Sequence, residues 1–157
     1  MEKHEMFELA AGLGEAKNRQ NVEKALKFLH PEMVLYSPAW GAIARGLDEN
    51  RQLLTHLFTS YPDYCVSLDG YVADAETFFS WGNVRMTMAS HASDAAGMRP
   101  NGQRITLPVT IRMRFKEGLI AMEYFSCDLA QVAAQSGISI DGMWKNVFGS
   151  SPGVSAA

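Results

Sequence analysis

Asp128 is the residue whose neighbours best equip it for proton chemistry. It closes the run Leu119 to Cys127. That run follows a longer one in which Ile105, Leu107, Val109, Ile111, Met113 and Phe115 fall on every second position. A carboxylate delivered to the apolar face of such a pair of segments must be hydrogen-bonded, ion-paired, capping a helix or protonated. Desolvation raises its pKa and makes it a usable acid or base near neutral pH. A structural role is equally open. Asp128 precedes Leu129-Ala130-Gln131-Val132, and Asp-x-x-Gln at a helix start is a capping-box-like pattern that lowers a carboxylate's pKa. His91 is the second candidate, as a donor to a developing oxyanion or a partner for Asp128. Strict alternation nevertheless sets it beside Arg85 and Thr87 rather than Val84, Met86 and Met88, so a solvent-facing strand end suits it as well. Tyr36 and Trp40 flank a turn at Pro38 and suit the clamping of a flat substrate or core packing. Met113 and Tyr124 read as core or pocket lining.

The elements that must position these residues follow from periodicity. Residues 105–115 alternate apolar with Arg104, Thr106, Pro108, Thr110, Arg112 and Arg114, the period of a strand with one buried and one wet face. Glu117-Gly118 supplies a turn, a weaker signal than Asn-Gly. A hairpin through it sets Phe115 against Ile120, Met113 against Met122, Ile111 against Tyr124, Val109 against Ser126 and Leu107 against Asp128. Arg112 then meets Glu123 as a favourable cross-strand pair. A one-residue slip would set Ile111 against Glu123 and scramble both faces.

The remaining segments are read the same way. Met6, Leu9, Ala10, Leu13 and Ala16 predict a helix over 3–17, although Gly12 and Gly14 weaken it. Asn21 caps a second helix ended by His30-Pro31. Met33 to Ser37 is strand-like, and Ala42 to Arg45 is a short returning strand. Asp48 caps a third helix reaching about Tyr61, with His56 off its apolar stripe. Tyr64 to Val72 and Thr77 to His91 are β-rich, and 93–103 is a loop. A short helix follows Asp128, Ile138 to Phe148 is mixed, and 149–157 reads as a disordered tail. Helices first and antiparallel strands later is the α+β order, with helices covering one face of a sheet. A strongly curved, mixed or antiparallel sheet wrapped by N-terminal helices makes a cone around an apolar cavity. One domain over 1–148 is the reading for a chain of 157 residues.

Composition narrows the partners. Hydrophobic residues make up 47%, enough for a core, and nine Met, three Trp, five Tyr and eight Phe also suit the lining of a greasy pocket. The net charge of −3 comes with no long basic run, which argues against nucleic acid and acidic membrane. The four histidines lie 26 or more residues apart, without a metal-binding spacing. Cys65 and Cys127 form neither a metal motif nor a disulfide framework. No secretion signal or membrane-length apolar run is evident, so a cytoplasmic protein with reduced thiols is the default expectation. Phosphate loops, nucleophile elbows and Cys-His signatures are likewise absent.

Met113-Arg-Phe-Lys-Glu-Gly-Leu-Ile-Ala-Met-Glu-Tyr-Phe-Ser-Cys-Asp128, followed by Ala134-Gln-Ser-Gly137, resembles the closing hairpin and helix of SnoaL-like proteins. Met86 to His91, Arg99 to Arg104, His30 to Val34, Pro38, Arg45-Gly46 and Tyr61-Pro-Asp63 fit the rest, so the resemblance covers roughly residues 18–137. It departs at Ala89-Ser90, at Leu119 in the turn, and at Tyr124 in a tryptophan position. The resemblance implies the nuclear-transport-factor-two-like cone, usually dimeric, here through the outer sheet face. It implies a cofactor-free and metal-free aldol-type cyclase acting on a hydrophobic carbonyl or polyketide-like molecule, with Asp128 as general acid/base. The same superfamily holds other isomerases, dehydratases and non-catalytic binding modules, so the fold alone does not fix the reaction. Ketosteroid isomerases carry an Asp where this chain has Ser37, and epoxide hydrolases of the superfamily use an Arg-x-Asp pair that this sequence lacks.

Overall fold

A computed structural model describes residues 1–88 and 102–148. Two helices open the chain, α1 (Lys3–Asn18) and α2 (Val22–Leu26), and Asn21 caps the second by accepting from Lys24 N–H at 2.9 Å. Strand β1 (Leu29–Ser37) begins earlier than the apolar pattern predicts: His30-Pro31 lies inside it rather than ending a helix. A 3-10 turn (Pro38–Trp40) and the short β2 (Ala42–Arg45) lead into α3 (Gly46–Ser60). Asp48 sits in the first turn of α3 rather than at its cap, which is Arg45. Then come β3 (Cys65–Ala73), β4 (Thr77–Thr87), β5 (Arg104–Lys116), β6 (Leu119–Cys127), α4 (Leu129–Ser136) and α5 (Ile140–Phe148). The predicted tail at 149–157 and most of the predicted loop at 93–103 fall outside the described residues.

The strands form one mixed sheet in the order β2-β1-β6-β5-β4-β3, parallel only between β1 and β6. Met6, Ala10, Leu13 and Ala16 are the buried stripe of α1, and Leu54 and Phe58 are buried on α3. On the sheet the buried residues include Met33, Phe78, Ile105, Leu107, Ile111, Met113 and Ile120. Together with the helix stripes they form one continuous apolar core.

Irregular pairings curl the sheet, because a bulge bends its strand and sharpens the twist. One lies between Leu68 and Gly70, opposite Gly82. A Cβ on Gly82 would fall 1.9 Å from the Ser67 carbonyl oxygen, so only glycine fits that crossing. A second lies in β6: Phe115 pairs with Ile120 as the turn predicts, but Arg114 pairs with Met122. Ala121 is the extra residue. The register of β1 against β6 shifts at the same level, between Leu29 and Val34.

Candidate functional site

The bulge at Ala121 inverts half of β6. Beyond it Met113 pairs with Glu123, Arg112 with Tyr124, Ile111 with Phe125 and Val109 with Cys127. The predicted pairing of Arg112 with Glu123 is therefore corrected by one residue. The inward residues are Glu123, Phe125 and Cys127. Tyr124, Ser126 and Asp128 point outward, because side-chain direction alternates along a strand.

Asp128 is exposed, contrary to its predicted place on the apolar face. Its Oδ1 accepts from Ala130 N–H at 2.8 Å and caps α4, the structural role that Asp-x-x-Gln suggests. It lines a shallow depression on the outer sheet face together with Asp69, Trp81, Thr110 and Ser126. Tyr36 and Tyr124 are also on that outer face, their rings 5.3 Å apart, and the Arg112 guanidinium lies 5.3 Å from the Tyr124 ring centre. Neither tyrosine reaches the interior. Met113 does, as part of the buried core. Trp40 is half-buried at the end of β6. His91 lies outside the described residues.

The acid that the bulge does bury is Glu123, 1% exposed. It occupies a cross-strand row with Phe78, Met113, Leu35 and Ala44, all buried and inward. Lys17, at the end of α1 and 7% exposed, donates from Nζ to both carboxylate oxygens, at 2.8 and 2.9 Å. Sequence reasoning missed this pair. The polar side of α1 hid Lys17, and the unbulged register put Glu123 outside. Burial also holds the Tyr64 hydroxyl well above the ordinary tyrosine range, with the Glu123 charge adding to the effect.

At one end of the sheet several side chains are only partly buried. There β1, β4 and β6 end, β3 and β5 begin, and α3 delivers Tyr61. Trp40, Tyr61, Phe125, Cys127 and Leu129 are partly buried against the core at this end. Burial pushes the Cys127 thiol up to about 11, with the neighbouring Trp40 indole acting in the opposite direction. The turn after α3 is clamped to the end of β4 by Asp63, which accepts from Thr87 N–H at 2.9 Å and Thr87 Oγ1 at 2.7 Å and faces Arg104. Burial opposes ionisation of Asp63, but these hydrogen bonds and Arg104 outweigh it and lower its pKa. The Gln135 side chain of α4 bonds both the N–H and the carbonyl of Thr106, each at 2.9 Å. It thereby stands in for the strand that β5 lacks beyond the end of β6. Among the described residues no three His, Cys, Asp or Glu side chains gather as a metal site.

A SnoaL-like domain model matches residues 11–123, well over half of the chain. The chain belongs to the SnoaL-like family. Its match stops at Glu123, short of Asp128. Solved structures agree on architecture. A candidate polyketide cyclase from Xanthomonas campestris is 18% identical, with a TM-score of 0.74 over 85% of this chain and 98% of its own. IdmH of Streptomyces antibioticus, also described as a candidate polyketide cyclase, is 20% identical with a TM-score of 0.69 over 83% and 97%. A protein of ketosteroid isomerase-like fold from Catenulispora acidiphila, solved with trimethylamine, is 14% identical with a TM-score of 0.71 over 84% and 94%. These likenesses establish the fold. No curated protein matches the chain.

Proposed function

We propose that this SnoaL-like chain is a cofactor-free acid/base enzyme that admits a compact apolar carbonyl compound at the end of the cone where β1 and β6 finish. The observation that carries the proposal is a carboxylate and an ammonium facing each other among apolar side chains. Aldol-type closure of a polyketide-like molecule needs a proton moved between carbon and oxygen and an enolate held while it exists. Glu123 is the group to take the proton, and Lys17 is the cation to hold the charge. Glu123 lies two residues deeper along β6 than Phe125, roughly 7 Å at the rise of a strand. Asp128 enters this proposal as the cap of α4. A cytoplasmic setting belongs to the same proposal and suits two free thiols. No described helix is long and apolar enough to cross a membrane.

The test is exchange of the α-protons of β-tetralone, an apolar bicyclic ketone, in heavy water, followed by proton NMR. The wild-type chain should accelerate exchange, and Glu123→Gln should lower that acceleration by roughly 100-fold, the scale of one general base. A wild-type chain that leaves exchange at the solvent rate refutes the proposal.

A second reading, a binding module that pairs with its own kind, has a specific observation behind it. Val72, Phe79, Arg112, Tyr124, Tyr36 and Ile43 lie in register across all six strands on the outer face. Val72, Phe79, Tyr36 and Ile43 are exposed, as is Trp81 in the next row. An apolar belt of this kind marks an interaction surface. Arg114 lies in the row on one side of it and Asp69 and Asp128 lie beyond Trp81 on the other, so a second copy turned by a two-fold axis sets unlike charges together. Pairing and catalysis are compatible, since they use opposite faces of the sheet.

A further inference from the structure

Ser37 carries a buried polar atom that bonds no described protein group. It is 5% exposed, and among the described residues its Oγ has no hydrogen-bond partner. A serine just before a helical turn ordinarily caps it. Here the side chain makes no capping bond, and Pro38 opens the turn without an N–H to offer. A buried hydroxyl left unpaired is destabilising, because it gives up its bonds to water and gains none in the protein. Asn50 Oδ1 also has no partner among the described residues, but its amide nitrogen donates to the Gly46 carbonyl at 2.7 Å on the first turn of α3, at the opposite end of that helix from Tyr61.

The surroundings of Ser37 give it a direction. Tyr36 pairs in parallel with Tyr124, so Ser37 comes level with Phe125, and both face inward. Cys127 is the next inward residue of β6, and the Pro38–Trp40 turn packs against that strand. Phe125, Cys127 and Trp40 are half-buried, whereas one row deeper Leu35, Met113 and Phe78 are buried. Ser37 thus stands between the buried row of Leu35 and Met113 and the half-buried side chains of Phe125, Cys127 and Trp40.

We propose that Ser37 is a ligand anchor, its hydroxyl hydrogen-bonding the single polar oxygen of a neutral apolar compound whose ring lies along Phe125 and against the Trp40–Cys127 pair. This rests on the proposed function for the apolar carbonyl class and adds what selects within it. Among the described residues the inward polar groups nearest the oxygen are neutral: a hydroxyl, an indole and a protonated thiol. Lys17, also on the inner side, lies with Glu123 one inward row deeper than Phe125. A carboxylate or phosphate placed beside Phe125 would be a buried charge without a counterion, which is strongly disfavoured. The anchor therefore favours ketones and phenols over acids.

The experiment is calorimetric binding of β-tetralone and of tetralin, its hydrocarbon counterpart, to the full chain and to Ser37→Ala, with a thermal melt of each. The wild-type chain should bind β-tetralone roughly tenfold more tightly than tetralin, the scale of one hydrogen bond to a buried group. Ser37→Ala should bind both at the tetralin level. Its melting temperature should hold or rise, because the variant removes an unpaired buried hydroxyl. Undiminished β-tetralone binding by Ser37→Ala refutes the anchor and leaves the carbonyl-binding proposal standing. A clear loss of melting temperature also refutes it, by showing that the hydroxyl is bonded within the protein. Wild-type chain that binds neither compound refutes both proposals together.

Discussion

Lys17 and Glu123 stand 106 positions apart in sequence and meet inside the cone through two hydrogen bonds of 2.8 and 2.9 Å. The pair joins the last turn of α1 to the middle of β6. Both groups leave water to make it, and the attraction repays that desolvation only while both partners are present. Lys17→Met or Glu123→Gln alone should therefore cost about 3–5 kcal/mol, by stranding the other group. The double variant Lys17→Met/Glu123→Leu should lose less than either single change. Urea unfolding followed by circular dichroism measures this. Additive losses would show that the two side chains act independently.

The cap at Asp128 separates its structural from its chemical meaning. Asp128→Ala should cost about 1 kcal/mol, the usual value of an N-cap. Asp128→Asn should cost little, because asparagine caps as well as aspartate. Both should keep the exchange activity towards β-tetralone. If Asp128→Asn abolishes exchange while its melt is unchanged, the acid/base role returns to Asp128.

Much of this architecture was legible because alternation and helical spacing are local. Residues 105–113 bury every second side chain as their pattern predicts, and Asn21 caps α2. The site was less legible, because one bulged residue is a small local event with long consequences. Ala121 shows no glycine or proline signal, yet it turns Glu123 inward and Tyr124, Ser126 and Asp128 outward. The physical premise, an acid carried into a greasy interior by strand pairing, holds for Glu123 rather than Asp128. Its partner Lys17 could not be found by spacing, since a contact across 106 residues has no period. Tyr36 was misplaced for a different reason: strand β1 fixes its face, and aromatic character does not.

The outer belt predicts assembly. Sedimentation equilibrium should find the wild-type chain as a dimer and Phe79→Glu as a monomer, because the new carboxylate would be desolvated at the centre of the face. The Phe79→Glu chain should keep its circular dichroism, since Phe79 is exposed. Raising salt should slow association more than it weakens the dimer, if Arg114, Asp69 and Asp128 act mainly by steering. A monomeric wild-type chain at micromolar concentration would leave the belt for a different partner.

Cys127 reports on its end of the cone through its thiol. With Cys65→Ser as background, Cys127 is the single thiol in the chain. Its pKa of about 11, against an ordinary value of 9.0, leaves roughly 100-fold less thiolate at pH 8, and only the thiolate is nucleophilic. Alkylation by iodoacetamide should be slower than that of a free thiol by about that factor, and should climb about tenfold per pH unit until pH nears 11. The sign for stability follows. The protonated form is favoured in the folded chain, so this contribution is complete below pH 9 and is lost as pH rises from 9 towards 11. Cys127→Ala should flatten the stability profile over that interval. β-Tetralone should slow alkylation further at every pH, because the ligand lies against the same sulfur. Alkylation at the free-thiol rate, or indifference to β-tetralone, would show that the sulfur faces water rather than the ligand's path.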